Sequence, residues 1–231
     1  MTPRCAMVLA AGLGLRMRPI TLTTPKPMVE VAGRGMLDRA LDHLTAAGVE
    51  RLVVNTHWLG DKIRAHLAAR ADITIVHEPD LLETGGGVAN ALPLLGEAPF
   101  YVVNADIVWT DGPVPALARL AGAWDDALMD ALLLTQPTAT AVGYDGAGDF
   151  FLAADGRLRR RTGDEVSPLL FSGVQILHPR LFEGAPSGKF SLNLLYDRAL
   201  AAGRLFGLVH DGGWYHVGTP EALPEVEALL G

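Results

Sequence analysis

The sequence predicts an α/β fold, with a mostly parallel central sheet, helices on both faces and a small β extension. Three observations point there. Short apolar runs alternate with stretches whose apolar residues recur at helical spacing, the pattern of βαβ units. Glycine and proline mark the changes of period. Apolar residues make up 49% of the 231, enough to cover both faces of such a sheet. No repeat, low-complexity tract or linker divides the chain, so a single domain over residues 1–231 is expected.

Each element has its own signal. Cys5 to Ala10 is an apolar run stopped by Gly12 and Gly14 and reads as the first strand. A long loop follows, punctuated by Pro19, Pro25 and Pro27. Leu37, Ala40, Leu41 and Leu44 share a helical face that Gly48 closes. Arg51 to Asn55 is a strand, Leu59, Ile63 and Leu67 mark a helix, and Ile73 to Val76 is the next strand. The run Gly85 to Gly87 precedes a helix through Leu95, and Phe100 to Val103 is another strand. Further strands are expected at Leu128 to Thr135 and Leu169 to Leu177, with a hairpin in the Gly- and Asp-rich stretch Gly143 to Thr162 between them. Ser191 caps a helix ending near Ala202, and Thr219-Pro220 opens the last one.

Composition narrows the function. The net charge is −7 with no long acidic block, which argues against nucleic acid as the main partner, because a phosphate backbone calls for a basic surface. A local cluster of Arg and Lys can still hold a small anion. The single cysteine, Cys5, permits no intrachain disulfide and favours a cytoplasmic setting; within its apolar run it reads as a buried structural thiol. No apolar run approaches the ~20 residues of a membrane span, so no membrane partner is expected. The start, MTPRCAMVLAAG, does not read as a cleaved leader.

The strongest chemical signal is VLAAGLGLRMRPITLTTPKP, from Val8 to Pro27. At Gly12 and Gly14 the missing side chains let backbone N–H groups approach an anion closely. Arg16 and Arg18 follow at once, and Lys26 sits between two prolines that restrict its backbone. A guanidinium fork plus a point charge suits a triphosphate whose charge must be held during transfer. A dinucleotide fingerprint would need a small residue where Met17 stands, and a P-loop would need Gly-Lys-Ser/Thr. Asp106 follows the strand ending at Val103, at the carboxyl end where α/β sheets place ligands, and its carboxylate can hold Mg2+ against a phosphate.

The first loop resembles the N-terminal signature of the sugar-1-phosphate nucleotidyltransferases, a family with a GT-A or Rossmann-like fold. Glu83-Thr84-Gly85-Gly86-Gly87, Val103-Asn104-Ala105-Asp106, Gly148-Asp149-Phe150, Phe171-Ser172-Gly173 and Val217-Gly218-Thr219-Pro220-Glu221 extend the likeness over the whole chain. They point to its short uridylyltransferase branch, which acts on N-acetylmuramate 1-phosphate in cell-wall recycling. The resemblance implies transfer of UMP from UTP to a sugar 1-phosphate with release of pyrophosphate. It implies nucleotide contacts at Ala11, Gly12, Gly14, Leu15, Arg16, Lys26, Glu83 and Gly86, and sugar contacts at Asn104, Asp149, Glu165 and Gly173. Catalysis would fall to Arg16, Lys26 and Asp106, in a monomer or small homo-oligomer.

Two departures stand out. The family supplies a second metal-binding carboxylate just before Val-Gly-Thr, where this chain has His216. Mg2+ prefers oxygen, whereas imidazole suits softer ions. Three arrangements are open: Mg2+ held by Asp106, substrate phosphates and water; Mn2+ or Co2+ held by Asp106 and His216; or a weakly catalytic nucleotide-binding regulator. Larger relatives also follow Glu165 with a phosphate-holding lysine, and here Val166 stands instead. Arg159, Arg160 and Arg161 read as a solvated strand edge, His57, His66, His77 and His178 as structural, and Trp58 and Trp214 as core or rim packing. The first loop does not specify the base, so GTP with mannose 1-phosphate and CTP with a choline-type acceptor stay open.

Overall fold

The computed structural model describes residues 2–230. In chain order, the first half contains β1 (Cys5–Leu9), β2 (Glu30–Val31), β3 (Arg34–Gly35), α1 (Met36–Ala46), β4 (Arg51–Thr56), α2 (Gly60–His66), β5 (Ile73–His77), α3 (Glu83–Leu95), β6 (Phe100–Asn104) and β7 (Ile107–Trp109). The second half contains α4 (Ala116–Ala123), β8 (Ala131–Pro137), β9 (Ala141–Val142), β10 (Phe150–Leu152), β11 (Leu158–Arg160), β12 (Leu169–Leu177), α5 (Asn193–Ala201), β13 (Leu205–Val209), β14 (Trp214–His216) and α6 (Ala222–Leu230).

The main sheet runs β11-β10-β12-β6-β1-β4-β5, with β8 also against β12 and β13 beyond it. β6, β1, β4 and β5 are mutually parallel. β12 runs against β6, β8 and β10, β13 runs with β8, and β11 runs against β10. Seven strands therefore point one way and only β11 and β12 the other, so the sheet is mainly parallel as expected.

The strands bury both faces by simple alternation. Ala6 and Val8, Leu52 and Val54, Tyr101 and Val103, and Leu132 and Leu134 face one core, shared with Leu37, Leu41 and Leu44 of α1, Ile63 of α2 and Leu117 and Leu120 of α4. Met7, Val53, Phe100, Val102 and Leu133 face the other, shared with Val88 and Ala91 of α3 and Leu195 and Tyr196 of α5. The period of two puts adjacent side chains on opposite faces, which is why parallel strands covered on both sides read as unbroken apolar runs. Full burial of each such leucine contributes about 1.5–3 kcal/mol.

Three expectations shift. The glycine run does not precede α3 but lies inside it. The amides of Gly85 and Gly86 both donate to the Phe190 carbonyl, at 2.9 and 3.0 Å, so the helix starts at Glu83 and the 188–190 segment closes over its first turn. The strand expected from Leu128 starts at Ala131, because Asp130 is held by Arg180 and Arg204, each 2.8 Å away, at the end of a turn. Ser191 accepts from the Asn193 amide at 3.2 Å, but Leu192 is already helical and is the residue at the cap. The Gly143 to Thr162 stretch does hold a hairpin, β10 against β11. The basic run lies on β11, the sheet's edge: Arg159 pairs with Glu165 and Arg160 with Asp197. Arg161 instead donates to the carbonyls of Gly148, Gly163 and Glu165 and ties down the loop after the strand. No helix among the described residues is long and apolar enough to cross a membrane.

Candidate active site

The carboxyl ends of β1, β4 and β6 meet at one edge of the sheet, and the long first loop wraps around it. Asn55, near the end of β4, accepts from the Ala10 amide at 2.8 Å, fixing where the loop leaves β1. Gly14 takes φ +62°, a left-handed conformation open to glycine at little cost. Its carbonyl accepts from the Met17 amide at 2.9 Å and from the Thr21 hydroxyl at 2.8 Å. The loop thus closes into three short 3-10 turns, at Leu15–Met17, Ile20–Leu22 and Lys26–Met28. Met17 anchors them in a third apolar cluster with Val29, Val31, Met36, Val108, Val217 and Val226. With Met17 inward, neighbouring Arg16 is exposed and lines the cleft, whereas Arg18 does not.

Lys26 is buried, at 7% exposure, yet its Nζ lies 2.8 Å from Asp106 Oδ2. Asp106 is placed by the sheet: the Ala105 amide donates to Leu9 O at 3.1 Å, so the β6–β7 turn rides beside the exit of β1. Burial pushes the Asp106 carboxyl upward, but the charge and hydrogen bond of Lys26, with His216 and Arg16 nearby, hold it below the ordinary range. His216 arrives on β14, whose pairing sets it opposite Ile107. Its Nε2 is 3.5 Å from an Arg16 guanidinium nitrogen. Burial first, then the charge of Lys26, lowers the imidazole's affinity for a proton, so at neutral pH the ring is uncharged and can accept from Arg16.

Two clefts meet at Arg16, Asn104 and Asp106. The first, about 490 Å3, is lined by Ala11, Gly12, Gly14, Leu15, Lys26 and Glu83, among others; a volume of roughly 300–1,000 Å3 suits a small-molecule site. The second, about 360 Å3, is lined by Tyr144, Asp145, Asp149, Gly173, Trp214 and His216, among others. Gly173, at φ +88°, lies where the β12 register against β8 shifts between Phe171 and Gln175. The missing side chain lets β12 approach Asn104, whose Nδ2 would stand 3.1 Å from a Cβ there. Asp149 stays at the rim because its Oδ2 accepts from the Phe171 amide at 2.8 Å.

The fold thus gathers Ala11, Gly12, Gly14, Leu15, Arg16, Lys26, Glu83, Asn104, Asp106, Asp149, Gly173 and His216 along the two clefts. It does not bring Gly86 or Glu165 there. The Gly86 amide is taken by Phe190 O, so it has no donor to present to a base. The Glu165 carboxylate binds the Arg159 guanidinium at 2.8 Å and the Thr162 amide and hydroxyl, each at 2.9 Å. Val166 beside it is 74% exposed and lines neither cleft.

Asn55 and Glu78 are among the lining residues of the first cleft that the sequence did not single out. Glu78 is 1% exposed; its carboxylate accepts from Asn55 Nδ2 at 2.7 Å and from the Leu82 amide at 3.1 Å. Polar residues at the ends of consecutive parallel strands, Asn55 on β4 and Glu78 after β5, were the available signal.

The residues present fit a hard divalent ion in one way. Among the described residues no three His, Cys, Asp or Glu side chains gather as a cage. Mg2+ in phosphate sites, however, takes only one or two carboxylates and completes its shell with phosphate oxygens and water. Asp106, with one oxygen on Lys26 and a side chain 39% exposed, offers such a ligand.

Residues 6–183 match the model of a MobA-like NTP transferase domain. The N-acetylmuramate alpha-1-phosphate uridylyltransferase of Caulobacter vibrioides is 44% identical over 235 residues, covering 99% of this chain and 97% of that protein. The enzyme of the same name from Neisseria meningitidis is 38% identical over 232 residues, covering 98% of each. Among solved structures, HddC from Yersinia pseudotuberculosis, complexed with GMP-PN, superposes with a TM-score of 0.79 at 22% identity, over 99% of this chain and 100% of that one.

Proposed function

Because this chain belongs to the MobA-like NTP transferase family and is a nucleotidyltransferase, we propose that it transfers UMP from UTP to N-acetylmuramate 1-phosphate, forming a UDP-sugar for cell-wall recycling and releasing pyrophosphate. The observation that carries this reading is the convergence of the glycine loop, Arg16, Lys26 and Asp106 on one cleft, in a chain 44% identical over nearly its full length to an enzyme of that name.

An oxygen of the sugar phosphate attacks the α-phosphorus of UTP in line. One P–O bond forms there, the bond to the bridging α–β oxygen breaks, and pyrophosphate departs with that oxygen. The nucleophile is already anionic, so no general base is needed. The chain's task is to position two anions and neutralise the charge between them. In this reading the amides around Gly12 and Gly14 nest the phosphate tail, and Arg16 and Lys26 hold its charge. Asn104, Asp149 and Gly173 present polar groups and open backbone to the sugar in the second cleft. Asp106 would hold the divalent ion that this family generally uses, and that ion would draw charge from the phosphate oxygens. The reading places one catalytic domain over residues 1–231 in the cytoplasm, as a monomer or small homo-oligomer.

The test is a pyrophosphate-release assay pairing each of the four nucleoside triphosphates with N-acetylmuramate 1-phosphate, N-acetylglucosamine 1-phosphate and mannose 1-phosphate, in Mg2+, Mn2+ and Co2+. UTP with N-acetylmuramate 1-phosphate should be the best pair, and Asp106→Ala should abolish release while the chain stays folded. Preference for GTP with mannose 1-phosphate would replace the substrates proposed, and binding without release in any metal would leave a nucleotide-binding regulator.

A further inference from the structure

The phosphate-binding loop depends on a partner outside itself. From Met17 to Thr24, its backbone hydrogen bonds all stay within the loop: Met17 to Gly14, Arg18 to Leu15, Leu22 to Pro19, and Thr23 and Thr24 to Ile20. Among the described residues, the hydrogen bonds that tie residues 18–24 to the rest of the protein come from one short segment. The Trp58 indole N–H donates to the Thr21 carbonyl at 2.9 Å, and Lys62 Nζ donates to the Thr23 carbonyl. Trp58 lies in the turn between β4 and α2, and Lys62 lies on α2. The same turn is fixed to Glu78 of the cleft lining, where a His57 ring nitrogen is 2.8 Å from the Glu78 carbonyl.

Thr21 carries the restraint inward. It is 1% exposed, and while its carbonyl is held by Trp58, its hydroxyl donates to the Gly14 carbonyl at 2.8 Å. Its methyl group would stand 2.9 Å from a Cβ at Gly14, so the left-handed turn is shaped directly against it. Gly14 opens the 3-10 turn that carries Arg16. A chain of groups therefore runs from the Trp58 indole through Thr21 and Gly14 to the guanidinium at the cleft.

Resting on the nucleotide-binding reading of this loop, we infer that Trp58 is a positioning residue for the nucleotide. It touches no substrate; its indole N–H holds Thr21, and through Thr21 it sets the Gly14 turn and the direction of Arg16. Preorganising a loop in its bound shape strengthens binding by removing the cost of ordering it at that moment. Trp58 is also a usable reporter. It is 38% exposed, whereas Trp109, Trp124 and Trp214 are exposed by 3, 8 and 3%, so acrylamide quenching reads this side of the loop almost alone.

The experiment compares Trp58→Phe, which keeps a ring and removes the donor, with Thr21→Val, which keeps the shape and removes the hydroxyl, and Thr21→Ser, which restores the hydroxyl. UTP binding is measured by calorimetry, KM for both substrates by pyrophosphate release, and Trp58 accessibility by quenching with and without UTP. Loss of one hydrogen bond in the chain should weaken UTP binding about three- to tenfold in Trp58→Phe and in Thr21→Val. Thr21→Ser should stay near wild type, and KM for the sugar phosphate should hold in all three. The double variant should be no weaker than the poorer single, since both breaks act through one chain. UTP should reduce quenching in wild type and less so in Thr21→Val. Unchanged UTP affinity in both single variants, or equal rises in both KM values, would overturn the positioning role. Failure of the wild type to bind UTP at all would overturn the nucleotide reading beneath it.

Discussion

Lys26 Nζ lies 2.8 Å from Asp106 Oδ2, joining residues 80 apart in sequence at the point where the two clefts meet. The pair is asymmetric: the Lys26 side chain is 9% exposed and that of Asp106 39%. The lysine is enclosed between Pro25 and Pro27, while the carboxylate keeps an open side toward the clefts. If the phosphates bind as proposed, an ammonium held against this carboxylate can shift onto their oxygens as they arrive. It also keeps Asp106 ionised in the free protein.

Lys26→Met and Asp106→Asn should each lower turnover by at least about 10²-fold, in line with the loss of one preorganised charge at a transition state. The double variant should be little worse than the poorer single, because groups acting as a unit are not additive. Stability should fall by only about 1–2 kcal/mol in Lys26→Met, less than for a fully buried pair, because water can reach the orphaned carboxylate. Urea titrations and steady-state kinetics on the four proteins measure both. Multiplicative losses of turnover would show that the two side chains work separately.

The loop glycines separate fold from function. A Cβ at Gly12 meets nothing within 4 Å, and one at Gly86 collides with the Gly188 carbonyl. Gly12→Ala should leave Tm within about 2 °C, since no strain or clash is introduced, while raising KM for the nucleotide by crowding the approach to the backbone amides. Gly86→Ala should lower stability by roughly 1–3 kcal/mol through overpacking against backbone. Gly14→Ala should combine both effects: about 1–2 kcal/mol from φ +62° and a displaced Arg16. A Gly12→Ala enzyme with unaltered nucleotide KM would remove the phosphate tail from that side of the loop.

Much of this was legible in sequence because both the sheet and the loop are written in local patterns. The alternating burial of Ala6, Met7 and Val8 is an unbroken apolar run, and the strand-end position of Asp106 follows from Phe100 to Val103. What stayed hidden depends on partners that no hydrophobic period or motif names. Gly86 reads as offering its amide to a base until the 188–190 segment is seen accepting from it, and Glu165 reads as free for a sugar until Arg159, on the strand just before it, is found on its carboxylate. The short strands β7 and β14 carry too few residues for a period to show, yet their pairing delivers His216 to Asp106. Helix α4 spans only Ala116–Ala123, about two turns, so its apolar face repeats too few times to stand out.

Glu165 offers a pH test of its reassignment. The Arg159 guanidinium, first, and then the Thr162 amide and hydroxyl lower its carboxyl from 4.5 to about 2. A depressed acid stabilises the fold above its unfolded value and loses that contribution as pH falls, here between 4.5 and about 2. Carboxyl-carbon NMR, assigned with Glu165→Gln, should show a resonance still ionised at pH 3.5, and Arg159→Ala should return its midpoint toward the ordinary range. KM for the sugar phosphate should stay within about twofold in Glu165→Gln, as for an ion pair on the surface. A large rise would put the carboxylate back at the substrate.

His216 stands where a second carboxylate was expected, and its surroundings favour a different duty. Its Nε2 faces the Arg16 guanidinium at 3.5 Å, and a neutral imidazole accepting from Arg16 cannot offer that lone pair to an ion at the same time. Asp106 alone would then supply the protein's oxygen to a bound divalent ion, and phosphate and water would complete the shell. On this view His216→Ala should weaken nucleotide binding through a freed Arg16, yet leave the Mg2+ concentration for half-maximal turnover almost unchanged. Asp106→Asn should raise that concentration by roughly 10–100-fold, the scale set by disturbing a ligand's support. Mn2+ binding in the presence of UTP, followed by electron paramagnetic resonance, gives the same comparison without turnover. If His216→Ala loses Mn2+ as severely as Asp106→Asn does, the imidazole is a ligand, and the preference for softer ions should be sought in the wild type.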